Sequence, residues 1–496
     1  LENEDMKILT ATAELTPIAQ AGGLGDVAAF LPRELEKMGH NAIIVLPKYR
    51  AIDIEKWGFK NTHKTLVVQM GYWNEYALLW EGTLPNSTVK VYLVENNEYF
   101  DRAGIYGDPI EFSDNDRRFI FFSKAVFEVC KALGYSPDII HAHDYHTAFT
   151  LAFLKEFYQN DPMFSHTAGV YTIHNLAYQG KFNPDTALLY SGIPLSKFQP
   201  YSPYEYYGMV NAMKVGIMMA DKITTVSPTY SQEIRWSYFG EGLDGVINSR
   251  AADFIGILNG IDYDEWNPES DLHISAHYSI GEFDKKSYNK HKLLLDYGLS
   301  DYDDMNLPLI SMVTRLTDQK GVDLVIAKLE ELLSQHNFRF FLLGSGNYNY
   351  ENYFRYLSHR FPKNALNYIG YNAALSHQVI AASDFFLMPS RFEPCGLTQM
   401  YSLRYGTIPI ARQTGGIADS VFEYDYNNQS GNGFTFWQYH PDDMAYAISR
   451  ALSIYNNQPH WNKIRENAMN HNLSATTTAT KYLEVYQWAI NSQSNA

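Results

Sequence analysis

Two cations stand close together in Thr314-Arg315-Leu316-Thr317-Asp318-Gln319-Lys320-Gly321, a segment that follows an apolar run and precedes a helical pattern. In a chain that is acidic overall, Arg315 and Lys320 mark a local anion site, against the alternative that they are solvated surface cations. A second segment, Ser390-Arg391-Phe392-Glu393-Pro394-Cys395-Gly396-Leu397-Thr398, also follows an apolar run and opens a helix. There Gly396, Leu397 and Thr398 can aim backbone N–H groups at a phosphate, with the Glu393 carboxylate alongside. Near the start of the chain, Gln20-Ala21-Gly22-Gly23-Leu24-Gly25-Asp26 is a glycine-rich turn that lets backbone approach a ligand at a helix N-terminus. Its spacing matches neither the dinucleotide fingerprint nor the phosphate loop of ATPases, which disfavours a dehydrogenase and a P-loop ATPase.

Histidines supply the remaining chemistry. His141-Ala142-His143-Asp144-Tyr145-His146 ends one apolar run. Three imidazoles and a carboxylate admit a metal, but zinc needs convergent geometry and no Cys or Glu cluster stands nearby in sequence. The other reading is a set of polar groups that close a strand end and hydrogen-bond its loops; no metal is expected. His174 and Asn175 emerge from a second apolar run, Gly169 to Ile173, as a pair suited to a polyhydroxyl ligand.

All these segments sit where strands end, so a sheet must position them. Short apolar runs alternate with amphipathic helical patterns along the chain, the signature of an α/β protein with parallel sheets covered by helices. Strands are expected at Met6 to Ala11, Ala42 to Leu46, Asp138 to His141, Gly169 to Ile173, Lys222 to Val226 and Phe254 to Leu258, with a helix over Leu24 to His40. The pattern restarts with strands at Pro308 to Thr314, Phe338 to Leu343 and Asp384 to Met388 and a helix over Val322 to Leu333. A polar, acidic stretch separates the two series. It divides the chain into an N-terminal Rossmann-like domain (6–265), a junction (266–306), a C-terminal Rossmann-like domain (307–470) and a last helix (471–496) that could dock on the N-terminal domain.

Composition narrows the function. The 496 residues exceed one ordinary domain of roughly 150. With 55 acidic and 39 basic residues the formal charge is -16, which disfavours nucleic acid as a partner. An apolar fraction of 46% with only 19% charged residues indicates a folded, soluble protein. Cys130 and Cys395 offer no disulfide framework, which suggests a reducing compartment. Val210 to Ala220 is interrupted by Asn211 and Lys214 and falls short of the roughly 20 apolar residues of a membrane span, so no membrane partner is expected. The opening Leu-Glu-Asn-Glu-Asp has no basic or apolar leader region and reads as an appended or processed end.

Together these segments resemble the bacterial glycogen synthase and plant starch synthase family. The shared elements also include Thr225-Val226-Ser227-Pro228-Thr229-Tyr230, Gly242-Leu243-Asp244-Gly245, Asn259-Gly260-Ile261-Asp262 and a second glycine turn, Gln413-Thr414-Gly415-Gly416-Ile417. The resemblance runs from about Lys7 to Tyr486. It implies a GT-B fold, two Rossmann-like domains facing across a cleft, and retaining transfer of glucose from ADP-glucose to the non-reducing end of an α-1,4-glucan. It implies no cofactor beyond the nucleotide-sugar substrate. Carried over by position, Arg315 and Lys320 bind the diphosphate, His174 sits by the donor sugar with Asn259 near the reacting centre, and Glu393 hydrogen-bonds the glucose hydroxyls. Gln20, Gly22, Gly23, Asp26, Gly396, Leu397 and Thr398 complete the nucleotide-sugar set, and Asp144, His146, Asn175, Gln179 and Tyr204 form the acceptor set. The cluster Tyr201, Tyr204, Tyr206 and Tyr207 lies near the family's acceptor region, where rings could stack on glucan or simply fill a core. The family places the protein in a bacterial cytoplasm, or in a plastid stroma or starch granule.

Three departures from the family pattern stand out. Gln20 stands where the family usually has lysine, which removes one cation and motivates an alternative: a weakly active or inactive glucan-binding homologue. Tyr401 stands where several related transferases carry a second glutamate, a difference that fits the glycogen and starch synthase branch. Asn472-Leu473-Ser474-Ala475 lacks the tryptophan that often follows in relatives.

Overall fold

The computed structural model describes residues 5–493 except positions 109 and 301. Residues 1–4 of the N-terminal segment, position 301 of the acidic stretch and the last three residues of the tail therefore lie outside the described residues. The chain divides into two compact units, the first made of the residues up to Ile257 together with those from Ala475 onward, the second of Leu258–Ser474.

In the first unit, continuous apolar runs become the central strands, buried on both faces, and further, more exposed strands complete the set. In chain order the strands are β1 (Lys7–Ala11), β2 (Asn41–Pro47), β3 (Lys60–Met70), β4 (Trp73–Thr83), β5 (Lys90–Glu95), β6 (Ile139–His143), β7 (Ala168–Ile173), the short pair β8 (Lys181–Phe182) and β9 (Val210–Asn211), then β10 (Lys222–Thr225) and β11 (Phe254–Gly256). The main sheet has the order β11-β10-β7-β6-β1-β2-β5-β4-β3. β1 pairs in parallel with both β2 and β6, in register Ile8 with Ala42 and Ile8 with Ile139. Chain progression reverses between β1 and β6, and the crevice outside the strand ends at such a reversal is where open α/β sheets hold ligands.

One edge departs from the expected alternation of parallel strands and helices. β3 and β4 form an antiparallel hairpin, and β4 runs antiparallel to β5. Leu66, Val68 and Met70 point inward while Val67 between them is exposed, the period-2 pattern of a one-faced strand.

The helix Ala475–Gln493 buries Ala479, Tyr482, Val485, Tyr486 and Ala489 against Ile8, Val27, Leu31, Ile139 and Val170. Thr476 adds a 2.6 Å hydrogen bond to Glu34.

The second unit contains one six-stranded parallel sheet, from β12 (Leu309–Val313), β13 (Arg339–Gly344), β14 (Ala365–Ile369), β15 (Phe385–Met388), β16 (Ile408–Arg412) and β17 (Phe434–Phe436). Its order, β14-β13-β12-β15-β16-β17, is the doubly wound arrangement of dinucleotide-binding folds, with the reversal between β12 and β15. The unit begins at Leu258 and takes in the polar stretch, which is packed rather than extended. Its helix Phe283–Asp296 buries Leu293 and Leu294 against Phe341, Leu366 and Val379, and Lys290 forms a 2.8 Å ion pair with Asp384.

Candidate functional site

The reversal point of the second sheet gathers the charged residues. Arg315 and Lys320 lie in the loop after β12, and Glu393 lies in the loop after β15. Although 73 residues apart, Lys320 Nζ and Glu393 Oε2 are 2.6 Å from each other. Glu393 also accepts from the Ser390 hydroxyl at 3.1 Å and is 6% exposed.

Backbone packing holds this pair. Gly321 has φ +71, and a Cβ there would lie 2.1 Å from the Pro389 carbonyl, so glycine is what lets the two loops run against each other. The second glycine turn does the same from the other side: at Gly415, with φ +46, a Cβ would fall 1.9 Å from the Glu393 carbonyl, and Gly416 N–H donates to that carbonyl at 3.1 Å. This turn is thus a backbone brace for Glu393.

Two features of this loop pair remain open. Arg315 is exposed, and its guanidinium has no hydrogen bond or ion pair among the described residues. The N–H groups of Gly396, Leu397 and Thr398, at the start of the short helix Thr398–Arg404, likewise donate to no acceptor among the described residues. Asn259, in the same unit, is buried against Cys395, and its Oδ1 has no hydrogen-bond partner among those residues. An unpaired guanidinium, an ammonium and three free amides suit a diphosphate, and the adjacent carboxylate suits hydroxyls or developing positive charge.

The first unit presents a different surface at its own reversal. Its glycine turn already holds an anion, the carboxylate of Glu14. Glu14 Oε2 accepts from Ala21 N–H at 2.8 Å and Gly22 N–H at 2.6 Å, and Oε1 accepts from the Tyr106 hydroxyl at 2.5 Å. Glu14 is 4% exposed. Thus Gly22, expected to meet the nucleotide sugar through its backbone, has its amide committed internally, while Gly22 and Gly23 remain exposed. Exposed Gln20 donates from Nε2 to both Asp26 oxygens at 3.2 and 3.3 Å. Sequence reading passes over Glu14, because a lone glutamate eight positions before a glycine pair has no recognisable spacing.

Beyond β6 and β7 the imidazoles form a buried, hydrogen-bonded set. His141 joins Tyr486 at 2.9 Å and Thr172 at 2.6 Å, and His143 Nδ1 meets His174 Nε2 at 2.9 Å. Burial pushes the His174 ring down to about 3 and His143 well below its usual value, so both are neutral near pH 7. Among the described residues no group of three or more His, Cys, Asp or Glu could hold a metal ion. Asp144, with φ +54, accepts from His174 N–H at 2.7 Å and also bonds the Asn175 amide. Burial raises its carboxyl to about 7.

Several residues expected in the acceptor set are occupied within the fold. Gln179 donates to the Leu176 and Glu241 carbonyls and accepts from Asn211. His146 is stacked on Tyr106 with centroids 4.3 Å apart. Tyr204 is buried with its hydroxyl on Glu156 at 2.9 Å, so its ring offers no stacking face; Tyr201 and Tyr207 are the exposed rings of that cluster. Asn175 is half-buried, its Oδ1 accepting from Ala177 N–H.

Comparison with known proteins places this geometry. Residues 7–249 match the starch synthase catalytic domain, and residues 303–471 match the glycosyl transferases group 1. A glycogen synthase of Bacillus cereus is 42% identical over 97% of this chain and 99% of its own length. One from Pseudothermotoga lettingae is 41% identical over 98% of this chain and 99% of its own. The catalytic domain of starch synthase IV from Arabidopsis thaliana, solved with ADP and acarbose bound, superposes with a TM-score of 0.91 at 34% identity, covering 98% of this chain and all of that one. Sucrose-phosphate synthase from Thermosynechococcus elongatus, at 14% identity and a TM-score of 0.60, shares the fold. The chain belongs to the glycogen and starch synthase family and is a glycosyltransferase of the GT-B fold.

Proposed function

We propose that the chain transfers glucose from ADP-glucose to the non-reducing end of an α-1,4-glucan with retention at the anomeric carbon. The observation that carries this reading is the Lys320–Glu393 contact at the reversal of the second sheet, beside Arg315 and the amides at 396–398, which have no partner among the described residues. Arg315 and Lys320 take the diphosphate, and their attraction grows as the departing nucleotide gains charge, which lowers the barrier rather than merely tightening binding. Glu393 faces the sugar hydroxyls and the developing positive charge. His174, neutral by burial, serves the donor sugar through hydrogen bonding rather than as a cation.

The ADP bound to starch synthase IV supports the choice of nucleotide, and the acarbose in the same structure supports a glucan acceptor. The weakly active reading built on Gln20 is not favoured, because relatives of 41–42% identity along nearly the full chain are glycogen synthases and the cations of the second unit are in place. Among the described residues no helix is long and apolar enough to cross a membrane. Incubation with ADP-glucose and a maltooligosaccharide should lengthen the glucan and release ADP in equal amounts. Absence of elongation with both ADP-glucose and UDP-glucose would reject the assignment.

A further inference from the structure

His143 touches His174 but lies one step further from the solvent. Each ring is neutral and carries one proton, and a single hydrogen bond of 2.9 Å joins His143 Nδ1 to His174 Nε2. One of the two nitrogens must donate. The other nitrogen of His143, Nε2, is buried without a hydrogen-bond partner among the described residues. A His143 proton on Nε2 would strand an N–H donor in the interior, and orphaned buried donors are rarer in folded proteins than underused acceptors. A proton on Nδ1 leaves only a lone pair unused and lets His143 donate to His174.

We infer that His143 is a positioning residue that fixes the tautomer of His174, placing the His174 proton on Nδ1. Nδ1 makes no hydrogen bond within the described residues and is not among their buried unpartnered atoms, so it is the ring edge that a ligand can reach. His174 thereby presents an N–H donor to an oxygen lone pair of the sugar, with its orientation set from behind by His143, the usual logic of imidazole pairs in which one nitrogen's bond decides the role of the other. Asp144 fixes the backbone of the same residue through the 2.7 Å bond to His174 N–H, so ring and backbone are held by neighbours in sequence. The sugar contact rests on the transfer reaction proposed above; the tautomer does not.

The test uses the full chain labelled with 15N-histidine and a long-range proton–nitrogen correlation spectrum at pH 7.5, with His174→Gln to assign the signal. His174 is expected to show a protonated Nδ1 and a bare Nε2. In His143→Phe the His174 ring should move toward the Nε2-protonated form, and kcat/KM for ADP-glucose should fall about tenfold. In His143→Asn, whose amide N–H can replace the Nδ1 donor, the wild-type tautomer and most of the activity should return. A wild-type His174 protonated on Nε2, or a tautomer unchanged in His143→Phe, would overturn the inference. Because the spectrum needs no turnover, failure of the tautomer assignment and failure of the transfer reaction are seen separately.

Discussion

Each unit places a glycine-rich turn near the reversal of its sheet, yet the two turns do opposite things. In the first, Ala21 and Gly22 N–H groups are filled by Glu14, and the nearby imidazoles are buried and neutral. In the second, Gly415 and Gly416 brace the Glu393 backbone, while Arg315 and the 396–398 amides have no partner among the described residues. A glycine turn at a strand end is therefore not by itself a phosphate seat; what decides is whether the chain has already supplied an anion. In the proposed reaction the second unit would supply the cations for the diphosphate, and the first unit neutral imidazoles only.

The contrast breaks most readily at Lys320. Lys320→Ala should lower transfer ten- to hundredfold, the loss expected for a charge-assisted hydrogen bond of roughly 1.5 to 3 kcal/mol, with the melting profile showing a folded protein. Near-normal turnover would remove the second unit's claim to the diphosphate. Glu14→Ala probes the opposite side. It should cost roughly 1 to 3 kcal/mol of stability in chemical denaturation, because two amides and a tyrosine hydroxyl lose their acceptor. ADP binding should not tighten; if it did, the first turn would be a masked phosphate seat.

Asp144 gives a pH signature confined to the first unit. Its carboxyl lies at about 7 in the folded chain against an ordinary value of 3.8. Its contribution to stability is therefore fully present below about pH 4 and is lost as pH rises through 7. Across that window, wild type should lose roughly 1 to 4 kcal/mol relative to Asp144→Asn in paired denaturation curves. Parallel curves would show that Asp144 titrates normally. The smallest effect is expected at Gln20. Gln20→Lys should improve the KM for ADP-glucose by less than about tenfold, since Asp26 stands ready to pair with the new ammonium. A larger gain would mean that the missing cation limits the enzyme.

How much of this is legible in the sequence depends on how local each feature is. β1, β6, β7, β12, β13 and β15 are readable because strands buried on both faces are continuous apolar runs. The β3–β4 hairpin is not, since only Leu66, Val68 and Met70 alternate cleanly and the first half of β3 is polar. The loops carrying Lys320 and Glu393 are each visible as motifs, but their contact follows from β12 and β15 being neighbours, which no spacing reveals. Tyr204 illustrates an alternative that sequence leaves open, glucan stacking or core filling, and that the fold decides by burying the ring with its hydroxyl on Glu156. The contacts of Glu14 and His143 escape a sequence reading because their partners, two loop amides with a tyrosine hydroxyl for one and a ring one strand away for the other, are brought near only by folding.

The helix Ala475–Gln493 has a practical corollary for anyone dissecting the enzyme. The polypeptide passes from one unit to the other twice, at Ile257–Leu258 and again at Ser474–Ala475. A fragment stopped at Ile257 would lose the helix side of the cluster that holds Ile8, Val27, Leu31 and Ile139, leaving an apolar face prone to self-association. The second unit can be cut out as one uninterrupted piece; the first can be reconstituted only by joining or co-expressing two.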